Sequence, residues 1–174
     1  MAEEYSIESL RVAIQESNQD VPDTDGERFE AQARRYEKAV AKLVDDICRI
    51  VSQIPELTIT LEDETEIFTS HGYADREIEI HDQRVCITRD SNTLFFDPTA
   101  KAHLSAMGQV EIQASRPLRF MIEKVLYLLP VQGGKRTRWG FRSIENLGGP
   151  PVPFTEQVLL RMLHLVFGPE EAGS

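Results

Sequence analysis

The stretch DGERFEAQARRYEKAVAKLVDDICRIVSQI, residues 25–54, decides the reading of the fold. Phe29, Ala33, Tyr36, Val40, Leu43, Ile47, Ile50 and Ile54 recur at alternating spacings of four and three, which lines them up as one apolar stripe on a helix. Thr24 and Glu27 stand at capping-box spacing ahead of it, and Pro55 ends it. At about 1.5 Å per residue such a helix spans on the order of 40–45 Å. Its stripe is narrow at first, flanked by Glu30, Gln32 and Glu37, and is then widened by Val44, Cys48 and Val51. The wide half suits packing on a sheet. The narrow half predicts a helix–helix contact, with Phe29, Tyr36, Val40 and Leu43 as self-association residues facing a second copy.

Upstream, Ser6 is placed to cap a short amphipathic helix over residues 7–17, with Ile7, Leu10 and Ile14 on one side. An acidic loop follows, containing Pro22 and Gly26. Downstream, from Leu57 to Asp97, the apolar period becomes two, which predicts an antiparallel meander with one acidic face. Asp97 and Pro98 have the spacing to start a short helix ending before Gly108, and Val110, Ile112 and Ala114 make a further strand. Pro117–Leu129 has helical spacing, with a strand over 125–131 as the alternative. Arg136–Ile144 alternates again, and residues 154–167 form a final helix stopped by Gly168 and Pro169. The fold class expected is α+β: an antiparallel sheet, a long helix packed on it, and an apolar C-terminal helix. One domain accounts for residues 1–174, with an N-terminal helix and acidic loop (1–24), the heptad-patterned helix (25–54), a mainly β part (57–114) and a mixed part (115–174).

The 174 residues hold 29 Asp and Glu against 19 Lys and Arg, a formal net charge of −10. The balance excludes a generally basic, nucleic-acid-coating surface. It is uneven: residues 1–97 carry a net −13, whereas 116–142 carry +6. No stretch is apolar enough to span a bilayer, the acidic N-terminus is unlike a secretory signal, and two cysteines make no disulfide framework. These features predict a cytoplasmic protein without membrane contact.

No motif for catalysis emerges. Asp23–Gly26 fits a calcium loop poorly, because positions 1 and 12 fall on Val21 and Gln32. Gly133-Gly134-Lys135-Arg136 lacks the leading glycine and the Ser or Thr of a P-loop. The four histidines show no paired helical spacing, and the carboxylates of Glu62–Glu66 are expected to be a solvated charge run. Neither a catalytic residue nor a metal or cofactor is assigned. What remains is a basic strand and its surroundings. Arg136, Arg138 and Arg142 alternate with Thr137, Trp139 and Phe141, Lys135 lies in the adjoining turn, and Arg116 and Arg119 extend the charge.

The function expected is a non-catalytic interaction protein: an adaptor, an assembly factor or a subunit of a larger complex. The basic strand, with Trp139, would take an acidic group. The C-terminal helix, through Leu159, Met162, Leu163 and Val166, would offer an apolar face. A protein partner or homo-oligomer is favoured over nucleic acid, which the patch alone could contact. The alternative is a small-molecule or nucleotide-binding domain, enzymes included, with a pocket near Arg136, Arg138 and Arg142.

Overall fold

The computed structural model describes residues 6–19, 24–73, 75–102, 106–131 and 136–170, the side chains of 15–19 excepted. Within them lie three helices and a mostly antiparallel sheet of eight strands. The stripe of residues 25–54 forms α2, Thr24–Val51, and every stripe position from Phe29 to Ile50 is buried. These side chains meet the sheet of their own chain. Phe29 and Tyr36 tilt onto Phe68, and Trp139 meets the edge of Tyr36. The expected self-association through Phe29, Tyr36, Val40 and Leu43 is therefore corrected, because intrachain packing uses all four. The shorter helix α1, Ile7–Gln19, is capped as expected: the Ser6 hydroxyl accepts from the Ser9 amide at 3.0 Å. Its apolar residues Ile7, Leu10, Val12 and Ile14 are exposed.

The sheet is built from β1 (Thr58–Ser70), β2 (Ile78–Arg89), β3 (Asn92–Pro98), β4 (Lys101–Ala102), β5 (Gln109–Ala114), β6 (Val125–Val131), β7 (Arg136–Phe141) and β8 (Val152–Pro153). Their spatial order is β4-β1-β2-β3-β5-β6-β7-β8. All neighbours pair antiparallel except β4, which runs parallel to the end of β1. Only Thr99 and Ala100 carry the chain from β3 to that far edge. Ala100 takes a left-handed conformation (φ 51°) there, and its amide is held by the Tyr36 hydroxyl at 3.2 Å.

Pairing register assigns the faces. Val85, Ile87, Leu94, Phe96, Val110, Ile112, Leu126, Leu128, Trp139 and Phe141 share one face, and all are buried. The last helix, α3 (Glu156–Phe167), lies on it beside α2; Arg89 on that face donates to the Phe167 carbonyl, and Trp139 Nε1 to the Ala39 carbonyl. At the outer half of the first hairpin the pattern reverses. The β1–β2 register is unbroken, yet Ile80, Asp82 and Phe68 are buried on the opposite face. The cause is the path of α2, which passes the edge of β2 that β3 leaves unpaired. Glu37 of α2 accepts the His81 amide there at 2.8 Å, and Tyr36 touches side chains on both faces.

Three expected elements are corrected. Asp97 and Pro98 end β3 rather than start a helix. Residues 118–124 form turns and a single bridge, Met121 to Ser143, and the strand alternative holds for 125–131. The C-terminal helix does form, but Leu159, Met162, Leu163 and Val166 are buried in the core, so they offer no apolar face to a partner. The two cysteines are free. No helix among the described residues is long and apolar enough to cross a membrane.

Candidate functional site

Two charged regions of opposite sign flank α2. The first is a groove of about 690 Å³ between α2, the start of β7 and the segment leading into α3. Arg35, Lys38, Lys42 and Arg49 recur at spacings of three, four and seven, so they form a basic line along one side of α2. All four are exposed and line the groove. The groove is also lined by Arg136, Thr137, Arg138 and Trp139 of β7 and by Phe154 and Thr155; Trp139 turns toward α2, whereas Arg136 and Arg138 alternate to the other face and border the groove at the strand's edge. Phe154 donates its amide to the Trp139 carbonyl at 2.8 Å, whereas β8 pairs only with Gly140 and Phe141. Among the described residues, the β7 edge at 136–138 therefore has no strand partner on this side. Asp46 and Glu156 are the acidic residues lining the groove, and Asp46 is engaged with Arg49 at 3.6 Å. Lys38, Lys42, Arg136 and Arg138 form no ion pair among the described residues.

The residues expected to form one basic patch are thus divided. Arg136, Arg138 and Trp139 reach the groove, although the Trp139 indole N–H is committed to the Ala39 carbonyl at 3.2 Å. Arg142 sits farther along, 3.6 Å from Glu123, and Glu123 also accepts a short hydrogen bond from the Tyr127 hydroxyl. Arg116 is a structural clamp, donating to the Gly168 carbonyl at 2.5 Å beside the end of α3. Arg119 is exposed and outside the groove, and Lys135 lies outside the described residues. The basic line on α2 was missed in the sequence because Thr24–Val51 holds six acidic and six basic residues and is neutral in sum.

The second region is on the first hairpin. Register sets Glu64 directly opposite Asp82 and places Glu66 one rung away on the same face. Carboxylate oxygens of the three lie within 4.8 Å of one another. This corrects the expectation of a solvated charge run: Asp82 is only 7% exposed, and Glu64 and Glu66 are half-buried. Burial first, and then repulsion among Asp82, Glu64 and Asp97, pushes the Glu66 carboxyl up to about 8. Asp82 is raised to about 7, again chiefly by burial and then by Glu64, while Glu64 is raised by burial and Asp97. When Glu66 is protonated it can donate to Asp82, a contact that raises the one and lowers the other. Asp97 falls on this face too, since β3 odd positions pair with β2 even ones. The nearby cation is Arg84, which turns to Glu62 at 3.6 Å and lies over the Phe95 ring at 4.5 Å. Farther out, Thr65 and Glu79 engage the imidazole of His81 on the other face.

In comparisons with protein families, with curated proteins and with solved structures, nothing matches this chain.

Proposed function

We propose that the protein is a non-catalytic interaction protein that takes an acidic segment of a protein partner into the groove between α2 and β7. The observation that carries this reading is the meeting of the basic line of α2 with the edge of β7. Lys38 and Lys42 line one trough with Ala39, Leu43, Leu128 and Trp139, and Arg136 and Arg138 border it at the edge of β7. Cations bordering an apolar trough suit a peptide that carries carboxylates with apolar side chains between them. A concave shape of this size would also admit a nucleotide, which is the second reading.

Fluorescence anisotropy of a labelled Glu- and Leu-rich peptide, measured at low and moderate salt, tests the proposal. The triple reversal Lys38→Glu, Lys42→Glu and Arg138→Glu should weaken binding by roughly tenfold or more, since each loses an attraction and gains a repulsion. Reversal of Lys101 and Lys124, exposed elsewhere, should leave it within about twofold after allowance for the net-charge change. Equal losses for both sets would reject the groove as the site. Displacement of the peptide by ATP at much lower concentration than by free glutamate peptides would transfer the site to the nucleotide reading.

A further inference from the structure

We propose that Glu64, Glu66 and Asp82 hold a hard divalent cation on the first hairpin, with calcium the best fit. Three independent features of the site point this way. The first is spacing: the oxygens of the three side chains lie within 4.8 Å of one another, the separation of two ligands on opposite sides of a calcium ion bound at about 2.4 Å. The second is that the protein leaves the innermost group unanswered. Asp82 is more than nine-tenths buried and directed at Glu64 and Glu66, yet among the described residues neither of its oxygens accepts from an N–H or hydroxyl group, which leaves only a proton shared with Glu66 to answer it. One buried oxygen each of Glu64 and Glu66 is in the same condition. Native proteins rarely leave buried polar atoms without partners unless a water, an ion or a function supplies one. The third is that the local cation, which acts on Glu64, makes no ion pair with any of the three. Arg84 follows Asp82 on the same face, but it is engaged with Glu62 and with the Phe95 ring, and its buried Nε is itself unpartnered.

The donor set selects the class of ion. All three ligands are carboxylates, which suit calcium, magnesium or manganese rather than zinc or copper. His81 belongs to the other face of β2 and is turned toward Thr65 and Glu79. Cys86 shares the face but lies two positions beyond Arg84. Calcium fits better than magnesium because it accepts six to eight oxygens in flexible geometry, so three carboxylates from two strands can be completed by water. Asp97 on β3 adds a fourth negative charge facing the same site.

The test uses the full chain after treatment with a chelator. Calcium, magnesium and manganese chlorides are each titrated by calorimetry at pH 7.5, and thermal unfolding is followed with and without about 100 times the dissociation constant of ion. The expected result is one bound calcium per chain, a rise in the melting temperature, and weaker binding of magnesium. The double variant Glu66→Gln, Asp82→Asn should lose the heat signal and the rise together while keeping its far-ultraviolet circular dichroism. The variant Glu79→Gln, on the opposite face, should keep both. No heat and no rise with any of the three ions would overturn the proposal and leave a cluster that only shares protons. An undiminished response in the double variant would overturn it equally.

Discussion

Replacing Asp82 by Asn should stabilise the ion-free protein, although most substitutions at buried positions destabilise. The magnitude follows from the site. A carboxyl whose ordinary value is 3.8 is held up at about 7 by burial and by its acidic neighbours. At ~1.4 kcal/mol for each tenfold change, an ionised Asp82 would cost on the order of 4 kcal/mol in a sealed site. Glu64 and Glu66 are open to solvent on one side, and screening reduces this to on the order of 2 kcal/mol. The Asn amide keeps the shape and can donate to Glu64 or Glu66, but some of its polar atoms stay unsatisfied, so the net gain is about 1–2 kcal/mol. In a domain of this size that corresponds to a rise of roughly 2–8 °C in the melting temperature. The assay is urea and thermal unfolding at pH 8 in chelator, with the urea slope checked for constancy. A loss of stability in Asp82→Asn of more than about 1 kcal/mol would refute the electrostatic account, because it would mean the carboxylate was already satisfied. In calcium the order of the two proteins should reverse, since only the wild type keeps the ligand.

Glu66 and Asp82 also set a pH dependence whose sign is opposite to that of a salt-bridged acid. Their folded values, about 8 and about 7, lie above the unfolded ones, so the folded chain binds more protons between about pH 4 and pH 8. Their contribution is greatest below the unfolded value and is lost as pH rises through the folded value. The melting temperature in chelator should be higher at pH 5.5 than at pH 8.5, and the difference should shrink in the Glu66→Gln, Asp82→Asn variant. Tyr36→Phe removes the hydroxyl that donates to the Gln109 carbonyl at 2.9 Å and accepts the Ala100 amide at 3.2 Å. The carbonyl keeps the Thr99 amide at 3.3 Å, but the Ala100 amide is orphaned, so urea unfolding should report a loss of about 1–3 kcal/mol. Gly108→Ala should be worse, or fail to fold, because its new methyl group would overlap the buried Tyr36 ring; a melting temperature within a degree of wild type would contradict that packing.

Much of the architecture was legible in the sequence where one pattern has one solution. The stripe from Phe29 to Ile50 could only be a helix, and the alternation in β1, β2 and β7 could only be strand. The partner of the stripe was not legible, because a seam of 3.5-residue period looks alike whether a sister helix or a curled hairpin covers it. Residues 118–131 misled for a different reason. Leu118, Met121, Ile122 and Val125 have helical spacing by coincidence, while the contiguous run Val125–Leu129 is a central strand with little polar alternation to mark it. In the candidate sites, Arg136, Arg138 and Trp139 were visible on β7, but Lys38 and Lys42 were hidden by the balanced charge of α2. Glu64, Glu66 and Asp82 could not be joined without the register of the hairpin, and a shift of one residue would have put Asp82 on the other face.

The two ends of the sheet bear on how this protein meets others. Each terminal strand is only two residues long, and at one end Pro150, Pro151 and Pro153 remove donors that an incoming strand would need. Of the inner edges left unpaired, the one on β2 is occupied by Glu37, and the one on β7 carries Arg136 and Arg138. The outer side of β1 is the longest: β4 pairs only with Thr69 and Ser70, so Thr58–Phe68 has no strand partner there among the described residues, and this stretch carries Glu62, Asp63, Glu64 and Glu66. Charge rather than pairing therefore guards these edges. A partner adding a ninth strand to β1 would have to answer four carboxylates, and the same carboxylates would hold crowded copies of the chain apart.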